Sequence, residues 1–81
     1  MKKGIKPIKN AMCKVELKEC FKDLRKYAEK NDRYWSCRYF ERIIGISRTL
    51  WYMKQITEKQ YDLIFDIANN INSYGIYKKT A

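Results

Sequence analysis

The sequence has no histidine. That removes the commonest general base and the commonest metal ligand. Cysteine is scarce too: Cys13, Cys20 and Cys37 are an odd number and form no Cys-x-x-Cys pair. They make neither a disulfide framework nor a four-ligand zinc set, and they read as small core-filling residues with reduced thiols. No apolar run approaches the ~18 residues of a membrane span. No apolar core follows the N-terminal lysines, as it would in a signal peptide. A Gly-rich phosphate loop is also missing. A non-enzymatic protein is therefore expected, with no cofactor, no metal and no membrane partner. The expected compartment is the cytoplasm, that of the host if the chain is viral. Acidic residues are few: nine Asp and Glu stand against 18 Lys and Arg, a net charge of +9. Such an excess favours polyanions, nucleic acid first and an anionic membrane surface second.

What is present suits a single small domain. The chain has 81 residues, and its hydrophobic share of 46% is enough for a globular fold. Residues 1–10 hold four lysines together with Gly4 and Pro7, so they read as a basic, non-helical arm. A first helix is expected from about Ala11 to Lys30, with Leu17, Cys20, Phe21, Leu24 and Ala28 as its apolar stripe. Lys14, Lys18, Lys22, Lys26 and Lys30 recur every four residues on another face, as a solvated face or a phosphate rail. Glu19 with Lys22, and Asp23 with Lys26, have the i,i+3 spacing of ion pairs.

The central helix is expected from about Asp32 to Lys54, with Asn31 or Asp32 as its cap. It holds both tryptophans and three of the seven tyrosines. Wound at 100° per residue, it places Phe40, Ile43, Ile44, Ser47, Leu50 and Trp51 on one side, widened by Tyr39, Ile46 and Met53. An apolar arc that broad fits a helix packed between two others. The opposite side carries Tyr34, Arg38, Arg42, Gly45, Arg48 and Tyr52, with Glu41 as its only acid.

A third helix is expected from about Glu58 to Ser73, opened by a capping box of Thr57 with Gln60 and stapled by Ile56 onto Tyr61. Tyr61, Ile64, Phe65, Ala68 and Ile71 form its core stripe. Glu58, Asp62 and Asp66 stand four apart elsewhere on it, either as a solvated acidic face or as an incomplete cation site. Asn69, Asn70, Asn72 and Gly75 mark its end, and residues 76–81 read as a tail. No strand-length alternation occurs. The expected fold is all-α: a small three-helix bundle over residues 11–75 with a long central helix.

Two short stretches carry resemblances. Ile44-Gly-Ile-Ser-Arg-Thr-Leu-Trp51 resembles the turn of bacterial helix-turn-helix regulators, through Gly45, Ile46, Ser47 and Arg48. In that family Gly opens the turn and Ser caps a helix that enters the major groove. Here Glu41 replaces the family's small residue, and Leu50 comes one residue early. The helix either breaks at Gly45 or runs through it, since Gly in a helix costs only ~1 kcal/mol. Downstream, the stretch around Ile56-Thr57-Glu58 resembles helical hairpins found in small phage and mobile-element proteins of low-GC Gram-positive bacteria. This resemblance implies a hairpin there.

The residues expected to meet a partner are Arg38, Arg42, Arg48, Tyr52 and Tyr34, with Lys18, Lys22 and Lys26 of the lysine row. Arginine forks match phosphate, and tyrosine rings stack on bases or pack at protein interfaces. With no side chain at Gly45, a backbone or phosphate can approach closely. The first expectation is a small nucleic-acid-binding or regulatory protein of a phage or mobile element, meeting DNA, RNA or a nucleoprotein complex. The second is a protein-interaction module, such as an anti-CRISPR-type inhibitor docking on a host nucleoprotein machine. The third is a homodimer through the tyrosine-rich face.

Overall fold

Leu17, Cys20, Leu24 and Ala28 follow one another at intervals of three and four residues, and all four are buried on one side of the first helix. The computed structural model describes the backbone of residues 11–80 and the side chains of residues 13–73. The basic arm expected at residues 1–10 lies outside them. The chain forms three helices, α1 (Ala11–Glu29), α2 (Arg33–Tyr52) and α3 (Glu58–Thr80), and among the described residues there is no strand. Each helix packs against both of the others, so the expected all-α three-helix bundle is the observed one.

The core is a single cluster of Leu17, Cys20, Leu24, Ile43, Leu50, Ile56, Ile64 and Ala68. Leu24, Ile43 and Leu50 are fully buried, and each such side chain stabilises the fold by roughly 1.5–3 kcal/mol relative to exposure. Phe40, Tyr39, Ile46 and Trp51 pack around its edge, as the broad apolar arc of α2 predicts. Two expected core residues are corrected. Met53 is 50% exposed, because it is the C-cap beyond the last turn of α2 and extends past the bundle. Phe65 is 38% exposed, since it meets α2 only at the rim, edge-on to Phe40 with centroids 5.7 Å apart.

Both connections are short and closed by hydrogen bonds. Asn31 takes φ 58°, and the Asn31 and Asp32 N–H groups donate to the carbonyls of Ala28 and Tyr27 at 3.0 and 2.9 Å. This is a Schellman ending, with Asn in the position glycine usually fills. Asp32 then caps α2, its Oδ1 accepting from the Trp35 N–H at 3.2 Å. Lys54 repeats the geometry after α2 at φ 60°, with Lys54 and Gln55 donating to Trp51 and Leu50. The capping box of α3 forms as its sequence predicts. The Gln60 N–H donates to Thr57 Oγ1 at 3.1 Å, and the Thr57 N–H donates to Gln60 Oε1 at 2.8 Å.

α2 runs through Gly45 without interruption, so the stretch Ile44–Trp51 is not a helix-turn-helix turn. Ser47 caps nothing: it is buried, and its hydroxyl donates back to the Ile43 carbonyl at 2.8 Å. The apolar anchors on either side of Gly45 belong to one core face, and one missing side chain does not outweigh their burial. α3 continues to Thr80 instead of ending near Ser73. Its asparagines and Gly75 are weak helix formers, but the backbone hydrogen-bond ladder absorbs penalties of about 1 kcal/mol or less each. Asn72 also has a tertiary role. Arg33 Nη2 donates to the Asn72 carbonyl and to its Oδ1, at 2.7 and 2.8 Å, and the Ser36 hydroxyl donates to the same Oδ1. These bonds clamp the start of α2 to α3.

Candidate nucleic-acid interface

The tight turn at Asn31 folds the last turn of α1 against the first turn of α2. Four aromatic rings meet there. Tyr27 and Tyr39 stack with centroids 5.7 Å apart and planes 4° from parallel. Trp35 leans on both, at 6.2 Å from Tyr27 and 6.1 Å from Tyr39. Tyr34 stands edge-on to Trp35 at 5.1 Å. Such pairs contribute about 0.5–1.5 kcal/mol each beyond area burial. The cluster is nonetheless open: Trp35 is 45% exposed and Tyr34 63%.

Cations surround the rings. Lys26 and Lys30 place their ammonium groups 5.3 and 5.8 Å from the Tyr27 centroid, and the Arg38 guanidinium lies 5.9 Å from that of Tyr34. These distances fall within the ~6 Å reach of cation–π attraction. Beside them lies a groove of about 350 Å³ lined by Trp35, Arg38, Tyr39, Glu41 and Arg42. The seam thus offers positive charge, flat apolar rings and room for a ligand in one place.

The expected partner-binding residues divide into groups. Tyr34, Arg38 and Arg42 from α2, with Lys26 from α1, share this seam. Lys18 and Lys22 are exposed on α1 and carry the lysine row away from it, Lys18 lying about 12 Å along the axis from Lys26. Arg48 and the exposed Tyr52 belong to the other end of α2, where Arg48 is about 15 Å along the axis from Arg38. The Tyr61 side chain nearby raises the Arg48 guanidinium above its ordinary range. Arg42 is engaged with α1. It donates to Glu16 of α1, which is the main cause of its raised pKa. Lys26 turns to the Tyr27 ring, and neither Glu19–Lys22 nor Asp23–Lys26 closes to an ion pair.

Three seam residues were absent from the expected set, Tyr27, Trp35 and Tyr39, and Lys30 was expected only as part of the lysine row. Lys26-Tyr27-Ala-Glu-Lys30 interleaves a ring with two cations and is a visible signal. Trp35 stands at the border of the apolar arc of α2, where periodicity alone does not say which neighbour it meets.

No three acidic or thiol side chains among the described residues stand close enough to hold a metal ion, Glu58, Asp62 and Asp66 included. None of Cys13, Cys20 and Cys37 is disulfide-bonded. Burial pushes the Cys20 thiol up, partly offset by the nearby Arg42 guanidinium. Among the described residues no helix is long and apolar enough to cross a membrane. Comparison with known proteins gives no match, whether with a family model, a curated protein or a solved structure.

Proposed function

We propose that this protein binds nucleic acid through the α1–α2 seam and acts by binding, not by catalysis. The observation that carries this reading is the convergence of Lys26, Lys30 and Arg38 from two helices on one open aromatic cluster. The chain's net charge of +9 supports it, because long-range attraction brings a polyanion to such a surface. The phage-like stretch around Ile56-Thr57-Glu58 supports a regulatory protein of a phage or mobile element.

Fluorescence anisotropy with labelled DNA and RNA at low salt tests the reading. Binding should weaken linearly in a plot of log affinity against log salt. Lys26→Ala and Arg38→Ala should each flatten that slope by ~0.9 on duplex or ~0.7 on single strands, the loss of one phosphate contact. Arg42→Ala should change it less, because Glu16 already neutralises that guanidinium. No binding of any nucleic acid at low salt would overturn the proposal and leave the seam as a protein-docking surface, for which arginine and tyrosine are equally suited.

A further inference from the structure

We infer that the seam takes unpaired nucleotides, with a base stacking on Trp35 over the groove, in preference to a duplex. This rests on the nucleic-acid reading above and specifies its substrate class.

Three observations carry it. The first is ring exposure. Tyr34 and Trp35 sit at the second and third helical positions of α2, held there by the Asp32 cap, and present open surface. In a duplex the faces of the bases are covered by their neighbours and only edges reach the grooves. An exposed ring gains most from a base whose face is free, which is an unpaired one.

The second is the arrangement of charge. Lys26, Lys30 and Arg38 lie against the tyrosine rings and not in a line apart from them. A phosphate that meets these cations brings its own base within reach of Trp35. The same cations form too small a cluster for a duplex binder relying on six to ten phosphate contacts. Arg42, the next arginine along this side of α2, is paired with Glu16.

The third is the continuity of α2. With no break at Gly45, no separate recognition helix starts at Ser47 to enter a major groove. The groove beside Trp35, of about 350 Å³, gives a base room to lie against the ring. Arg38 and Glu41 on its wall offer a donor and an acceptor to the edge of a stacked base.

The test uses the full chain carrying Trp51→Phe, which leaves Trp35 as the sole tryptophan and lies outside the seam. Oligo-dT, oligo-U and a mixed-sequence duplex of equal length are titrated at matched salt while Trp35 emission is followed. Single strands should quench Trp35 and bind about tenfold more tightly than the duplex. Comparing oligo-dT with oligo-U separates DNA from RNA as the source of the unpaired bases. Trp35→Ala should lower single-strand affinity about tenfold, the loss of one stack, with the salt slope unchanged. Trp35→Phe, which keeps a smaller ring, should fall between. If the duplex binds as tightly as single strands and Trp35→Ala shifts affinity less than twofold, this inference fails while nucleic-acid binding stands. If nothing binds at low salt, both fail together.

Discussion

Trp35 and Trp51 lie sixteen residues apart on the same helix, each beside a tyrosine that precedes or follows it. Their surroundings differ. Trp51 stacks on Tyr61 of α3 at 5.1 Å, packs against the core cluster and is partly buried. Trp35 meets Tyr27 of α1, which lies against two lysines, and Tyr34 and Tyr39 of its own helix, and nearly half of it is exposed. The α2–α3 seam is closed by rings and the Arg33–Asn72 clamp. The α1–α2 seam has an aromatic floor but no roof. One residue type therefore serves packing at one end of the helix and presentation at the other. What separates the two roles is the partner helix: α3 supplies Tyr61 and Phe65, whereas α1 supplies Tyr27 between two lysines.

The largest expected effect separates the tryptophans directly. Trp51→Ala should destabilise the fold by about 3 kcal/mol, the low end for a core aromatic because the ring is only partly covered. Trp35→Ala should cost about 1 kcal/mol, the worth of its ring contacts. Urea midpoints measure both. An equal shift for the two would mean that the α1–α2 rings are core and not a platform.

Next comes the clamp. Asn72→Ala leaves Arg33 and Ser36 without their shared acceptor and should cost about 2 kcal/mol. Asn72→Asp keeps an acceptor for Arg33 and should lose less. If both variants match wild type in urea, the α2–α3 seam is held by its rings alone.

A smaller effect, of opposite sign, is expected on the outer face between the seams. A Cβ at Gly45 would meet nothing within 4 Å, so Gly45→Ala should raise stability by up to about 1 kcal/mol. Lys54→Gly should gain a similar amount by relieving a left-handed residue at φ 60°. Gly45→Ala should also leave nucleic-acid affinity unchanged. A drop in affinity would show that a phosphate approaches this bare point of α2, extending the contact surface beyond the seam.

The smallest effect concerns Cys20, buried beneath Arg42 at the α1–α2 seam. Its folded pKa is raised, so its contribution to stability is complete below the ordinary thiol value of about 8.5 and is lost as pH rises through the higher folded value. Wild type should therefore lose stability above about pH 8.5 more steeply than Cys20→Ala. A brief iodoacetamide pulse read by mass spectrometry should label the exposed Cys37 well before Cys20. Equal labelling would mean that this seam opens freely.

Helix positions and the core were legible because both follow from local rules. The spacing of Leu17, Cys20, Leu24 and Ala28 dictates one buried face, and all four residues are buried. Thr57 and Gln60 form their reciprocal cap from four consecutive residues. The arc of α2 from Phe40 to Trp51 implied two neighbours, and two are present. Residues at the margins were less legible. Phe65 and Met53 were placed inside by periodicity, but a rim position and a helix end left them exposed. The end of α3 was misread because Asn and Gly weaken a helix without stopping it.

By itself, then, the sequence determined three helices, the caps that open α2 and α3, one shared core and a strong positive charge. Those features depend on contacts within a turn or two of chain, or on simple totals. Tertiary structure alone decided which arginines remain available. Arg38, Arg42 and Arg48 look equivalent along α2, but Glu16 of α1 pairs with Arg42 alone. It also decided that Tyr27, Trp35 and Tyr39 form one surface with Lys26 and Lys30 beside it. The period of a helix tells which residues share a face, but not which face of a second helix is turned toward them.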